Sequence, residues 1–136
     1  MPIAYQFSAD KRTIRTTCTG FLTLAEIIAH FQDLEHDPEC PEQLDVFLDC
    51  REVTSLPDTR QISAVVTQMK RVQPRVRFDA CAIVASRDAL FGMMRVFEAL
   101  AEEVFGVTRT FLSSTEAETW LALKQKPGEK KSANGS

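Results

Sequence analysis

The chain has no basic excess. Its 16 Lys and Arg stand against 19 Asp and Glu, a formal net charge of −3. A protein that grips nucleic acid needs a clustered positive surface, so nucleic acid is not an expected partner. Long hydrophobic runs are also missing. No stretch approaches the ~20 apolar residues of a membrane span. The opening Met1-Pro2-Ile3-Ala4-Tyr5-Gln6 lacks the basic and apolar regions of a signal peptide. Glycine is scarce, at five residues, and no Gly-x-Gly-x-x-Gly or Gly-x-x-x-x-Gly-Lys-Ser/Thr loop occurs. No nucleotide cofactor is therefore expected, nor any other cofactor.

Cys18, Cys40, Cys50 and Cys81 form no Cys-x-x-Cys pair. Cys18, Cys50 and Cys81 sit within or beside apolar runs. They read as small core hydrophobes of a reducing compartment, pointing to the cytoplasm rather than to a disulfide framework. The two histidines, His30 and His36, lie near Asp37 and Cys40. On a helix they would be about 240° out of phase, and Pro38 and Pro41 make the adjoining loop irregular. A solvated helix end is the reading there, and no metal site is expected.

What is present fits one domain with a single sizeable core, 44% of its 136 residues being hydrophobic. Ile3, Tyr5 and Phe7 alternate as a strand does. Thr13 to Thr19 returns as its hairpin partner after the turn at Ala9-Asp10-Lys11-Arg12. Thr23-Leu24-Ala25-Glu26 is a capping box opening a helix with an apolar stripe at Leu24, Ile27, Ile28, Phe31 and Leu34. Pro38 sets its end. Val46-Phe47-Leu48 predicts a short third strand, and Asp58 caps a second helix that ends at Gln73-Pro74. The run Ala80-Cys81-Ala82-Ile83-Val84-Ala85 predicts a strand buried on both faces. A third helix comes next, with Gly106 at its C-cap, then a strand over Val107 to Leu112. Ser113-Ser114-Thr115-Glu116 offers a further capping box. The last helix is expected to be anchored by Ala117, a buried Trp120 and Leu121. Alternating strands and helices predict mostly parallel pairing. The fold class is α/β: a mixed four- to five-stranded sheet with an N-terminal hairpin and about four helices. Residues 1–125 are expected to form the domain and residues 126–136 a disordered tail. From Lys124 onward four Lys and one Glu give that end a charge of +3, a solubility device by the simplest reading.

The third helix carries the widest apolar face. Leu90, Met93, Met94, Phe97, Leu100, Ala101 and Val104 form a core stripe, and Phe91 and Val96 flank it where charges would be ordinary. Phe91, Met93, Met94 and Phe97 are therefore the candidate contacts for a partner or an oily ligand, the thioethers lending adaptability. Cys50, at a strand exit beside Arg51, lacks a base near in sequence. It is not expected to be a catalytic nucleophile, and no catalytic residues are assigned. Arg60, Lys70, Arg71, Arg75 and Arg77 read as a solvated face.

Laid out in this way, the chain resembles the SpoIIAA-like branch of the STAS domain superfamily, the domain of sulfate transporters and anti-sigma-factor antagonists. The resemblance rests on Gly20-Phe21-Leu22-Thr23 with Glu26-Ile27, Leu48-Asp49-Cys50-Arg51, Ala82-Ile83-Val84-Ala85-Ser86, Phe91-Gly92-Met93-Met94-Arg95-Val96-Phe97, Glu116-Ala117 and Trp120-Leu121. It spans residues 3–123 and implies a regulatory or ligand-sensing role without catalysis. Antagonist-type members are phosphorylated on a Ser or Thr of an Asp-Ser-Ser-Gly-like loop after the third strand. Asp49 matches the start of that regulatory loop. Cys50 stands where the hydroxyl would be, and Arg51-Glu52 replace the small residues, so no such switch is expected.

The sequence thus predicts a non-enzymatic regulatory or binding domain that acts through an unidentified protein partner and through self-association as a homodimer. The alternative is a carrier or sensor of a lipid or other hydrophobic small molecule, with peripheral membrane association. Residues 126–136 offer almost nothing to bury, so their deletion should leave the melting temperature unchanged in a calorimetric scan. A fall of several degrees, the shift that about 1 kcal/mol produces, would contradict this.

Overall fold

The computed structural model describes residues 2–125, so the expected tail lies outside the described residues. Five strands form one sheet in sequential order. They are β1 (Ile3–Phe7), β2 (Thr13–Gly20), β3 (Gln43–Val53), β4 (Arg77–Val84) and β5 (Val107–Phe111). β1 and β2 are antiparallel, and each later pair is parallel. Helices α1 (Leu24–His36), α2 (Thr59–Val72) and α3 (Asp88–Leu100) make the crossovers, and α4 (Ser114–Lys124) comes after β5. Crossovers between neighbouring parallel strands share one hand. Sequential order therefore stacks α1, α2 and α3 on one face, where their buried side chains join a single core with the sheet. Helix α4 is not a crossover. It takes the opposite face, packing Ala117 and Leu121 on Phe47, Ala80, Ala82 and Val84. β4 is covered on both sides, which is why the run from Ala80 to Ala85 is buried throughout.

Local chemistry sets the helix ends. Thr23 accepts from the Glu26 N–H while the Glu26 carboxylate accepts from the Thr23 N–H, closing the predicted capping box. Asp58 and Gln61 form a second such box at α2. At α4 the Ser113 hydroxyl accepts from the Glu116 N–H at 3.3 Å.

Four expectations are corrected. β3 runs far past Val46-Phe47-Leu48, because pairing of Thr19 with Glu52 and Gly20 with Val53 holds its polar end in the sheet. Gly106 is no left-handed cap. Its N–H donates to the Asp79 carbonyl at 2.7 Å, and a Cβ there would meet Asp79 Oδ1 at 2.6 Å and the Asp79 carbonyl oxygen at 3.2 Å, so a larger residue would fit only with a shift of Asp79. Leu100 is 38% exposed rather than in the stripe: it lies about 80° from Leu90 around α3, while Ala101 and Val104, in and after the 3₁₀ turn that ends the helix, stay buried. Trp120 is only partly buried. It lies against Phe111, ring centroids 5.7 Å apart, with the Lys124 ammonium 5.5 Å from its ring, at the margin of α4's contact.

Asp45, buried in β3, was not singled out from the sequence. The β3–β4 register shifts between Leu44 and Val46, and there Asp45 Oδ1 accepts from the Ala80 N–H at 3.0 Å. Its second oxygen accepts from Gln125 Nε2 at 2.8 Å, and that amide also donates to Thr13 Oγ1. The end of α4 is thereby tied to β2 and β3.

These positions rank the anchors of α4. Leu121→Ala should cost about 2–4 kcal/mol, whereas Trp120→Ala should cost about 1–2 kcal/mol, less than a fully buried Trp. Urea unfolding checks the ranking, and a larger loss at Trp120 than at Leu121 would refute it.

Candidate functional site

Between the three-helix layer and the sheet lies a cavity of about 250 Å³. Its floor is the inner face of β2 and β3, where Thr16, Cys18 and Cys50 alternate with outward residues. These side chains are small. The helices above contribute Leu24, Ile27 and Phe31 from α1, Ile62, Val65 and Met69 from α2, and Leu90, Met94 and Phe97 from α3. Ile14, Val46, Leu48 and Val53 give the rest of the floor larger groups, so the shortfall of volume is local to Thr16, Cys18 and Cys50. No Lys, Arg, Asp or Glu lines it.

The cavity reaches the loops after β2 and β3, at the carboxyl ends of parallel strands, where α/β sheets commonly bind ligands. Phe21 and Leu56, 71% and 50% exposed, stand at the rim. The two loops are tied together. Thr54 N–H donates to the Gly20 carbonyl at 2.9 Å, and Leu22 N–H donates to Ser55 Oγ at 3.0 Å. Gly20 has φ +73°, which turns the chain out of β2. From the loop before α3, Arg87 donates to the Ser55 carbonyl at 2.8 Å.

His30 is the one imidazole in the wall. Its ring packs edge-on to Tyr5 at 5.4 Å and tilts against Phe31 at 5.4 Å. Burial lowers its pKa from the ordinary 6.5 to about 4, against a weaker upward pull from Asp33. The imidazole is therefore uncharged at neutral pH. His36 is exposed, its Nδ1 2.9 Å from the Gln32 carbonyl. Among the described residues no group of three or more His, Cys, Asp or Glu is arranged to hold a metal. All four cysteines are buried and unpaired.

Of the four third-helix candidates, Met94 and Phe97 are buried and line the cavity. Phe91 and Met93 are half-buried and pack against the same core, outside the lining. Asp49, Cys50 and Arg51 do not form a loop: all three lie in β3, and the loop begins at Thr54. The two-residue period of a strand splits them between faces. Cys50 points into the cavity, and its hydrogen bond with Cys18, together with burial, holds its thiol well above the usual range. It is a protonated wall group at neutral pH. Asp49 and Arg51 belong to a shallower polar hollow on the opposite face. There Arg51 grips Asp49 bidentately at 3.0 and 2.8 Å, which lowers the Asp49 pKa. Arg15 pairs with Glu118 in the same hollow, so its charges answer one another.

The sequence reading missed Phe21, Leu56, Ser55 and the Thr16-Cys18-Cys50 floor as parts of one site. The only local signal is an inner strand face of small residues beneath helices with large ones.

His30 yields a pH dependence. Its proton affinity is lower in the folded than in the unfolded chain. The stability from the neutral ring is therefore complete above pH 6.5 and is lost as pH falls towards 4, by up to about 1.4 kcal/mol per pH unit. His30→Phe should flatten that part of the profile in urea unfolding at pH 7 and pH 5. An unchanged slope would contradict the assignment.

The comparisons with known proteins bear on the fold. No family model matches the chain, and no curated protein matches it. A solved structure does: an uncharacterized protein from the DUF3478 family with a SpoIIAA-like fold, from Shewanella loihica PV-4. The TM-score is 0.57 at 16% sequence identity, covering 88% of this chain and 91% of that one. At that identity the likeness shows the fold alone, and the mixed sheet with its four helices is of SpoIIAA-like topology.

Proposed function

We propose that this chain is a non-enzymatic binding domain for a hydrophobic small molecule, held in the cavity under α1 and α2. The observation that carries the reading is the size and chemistry of that cavity. Left unoccupied, the cavity leaves its apolar lining without the neighbours that a packed core would supply, a loss of dispersion and burial over about 250 Å³. A ligand that fills the space recovers much of that loss, which gives the small floor residues a reason to be small. The wall has one neutral imidazole, buried thiols and hydroxyls. It lacks the paired acid and base, or the activated nucleophile, on which catalysis would rest. A regulatory role fits if occupancy alters the exposed rim at Phe21 and Leu56.

Self-association through α3 is the second reading. Phe91, Met93 and Val96 would supply only their half-exposed edges to it, so it stands behind the cavity.

Native mass spectrometry of the purified protein, before and after addition of decanol, tests the first reading. Decanol should bind one to one and raise the melting temperature. Cys50→Leu, which fills the floor, should raise the melting temperature without ligand and abolish uptake. A protein that takes up no decanol, and that Cys50→Leu destabilises by overpacking, would show that the floor is already filled.

A further inference from the structure

We propose that the occupant is a single-chain carboxylic acid of about ten carbons, its tail in the cavity and its carboxylate at the rim against Arg87. The inference rests on the reading of the cavity as a ligand site and adds the ligand's class and its head-group residue.

Volume sets the tail. An apolar cavity of about 150 Å³ accommodates benzene, so about 250 Å³ accommodates about ten carbons. Charge sets the orientation. With no cationic side chain in the lining, a carboxylate drawn inside would lose its hydration without compensation. An amphiphile must therefore leave its head in the mouth.

Arg87 lies outside the lining but one hydrogen bond away from it. It is exposed, yet its position is fixed by the 2.8 Å bond from one guanidinium nitrogen to the carbonyl of Ser55, a residue of the cavity wall. None of the ion pairs among the described residues involves Arg87. Its remaining N–H donors have no protein partner among those residues, and a planar fork with free donors suits a carboxylate. Of the other arginines at this end of the sheet, Arg51 is committed to Asp49, while Arg60 in the first turn of α2 is exposed and has no hydrogen bond to the cavity wall to fix it among the described residues. Arg87 is also the N-cap of α3 and makes no side-chain cap bond, so the positive end of that helix is open beside it. Asp88 in the first turn is the nearest acid in sequence and opposes the effect in part. A neutral alcohol of the same length would fill the same cavity but would gain nothing from Arg87.

The test compares decanoate with decanol by isothermal titration calorimetry on the wild type, Arg87→Gln and Arg87→Lys, with circular dichroism confirming each fold. Wild type should prefer decanoate by about tenfold, the scale of one charge-assisted contact at a partly exposed site. Arg87→Gln should bring that preference to about twofold or less, and Arg87→Lys, which keeps the charge but not the fork, should retain only part of it. Because Arg87 also braces the Ser55 loop, a purely structural loss would weaken both ligands alike and leave their ratio intact. Equal binding of the two ligands by wild type, or an unchanged ratio in Arg87→Gln, overturns the proposal and leaves the cavity reading standing. Failure of both ligands to bind overturns both.

Discussion

Thr16, Cys18 and Cys50 are too small to meet the helices that sequential crossovers stack above them, and that mismatch governs the rest of this fold. One-handed connections between neighbouring parallel strands leave α1, α2 and α3 no choice of face. Interiors ordinarily close to crystal-like density. Here the deep end does so around Leu44, Val72 and Val76, all of them essentially inaccessible. Near the carboxyl ends of β2 and β3 the packing opens, and the opening reaches the surface between two loops bearing exposed Phe21 and Leu56.

A fold with such a void must be held firmly elsewhere. Reciprocal capping boxes fix the starts of α1 and α2, two of the three helices that roof the cavity. The Leu22–Ser55 and Arg87–Ser55 hydrogen bonds tie three loops together at the rim. At the far end Asp45 accepts from the Ala80 N–H at the register shift and from Gln125 at the end of α4. An unpaired buried carboxylate would be costly, so these two partners make the position tenable. The binding region is thus a weakly packed pocket in a well-tied frame, and a frame of that kind can take up a ligand without large rearrangement.

Much of the frame was legible in the sequence. Thr23 with Glu26, Pro38, Asp58 and Gln73-Pro74 mark helix ends by local chemistry, and the run from Ala80 to Ala85 reads as a strand covered on both sides. The extension of β3 through Asp49, Arg51 and Glu52 was not legible, because only pairing with β2 keeps those polar residues extended. Trp120 looked like an anchor from helical spacing. Its partial exposure comes from where α4 crosses the sheet, which spacing does not encode. The site was half visible: Met94 and Phe97 were found from the breadth of α3's apolar face. The floor was not, since a deficit of volume appears only once β2, β3 and the helices are placed against one another. Arg87 was invisible for the same reason, its part depending on a carbonyl 32 positions earlier in the chain.

The central claim is that this protein keeps a real void beneath α1 and α2. Unfolding eliminates internal voids, so the volume change of unfolding measures them. High-pressure unfolding of ligand-free protein, followed by Trp120 fluorescence, should give a larger decrease in volume than the same measurement on Cys50→Leu, whose side chain fills the floor, within the range of about 20–100 mL/mol seen for folded proteins. Saturation with decanol should reduce that decrease substantially. A small volume change that decanol leaves unaltered would mean that the layers are fully packed, and the account would be wrong.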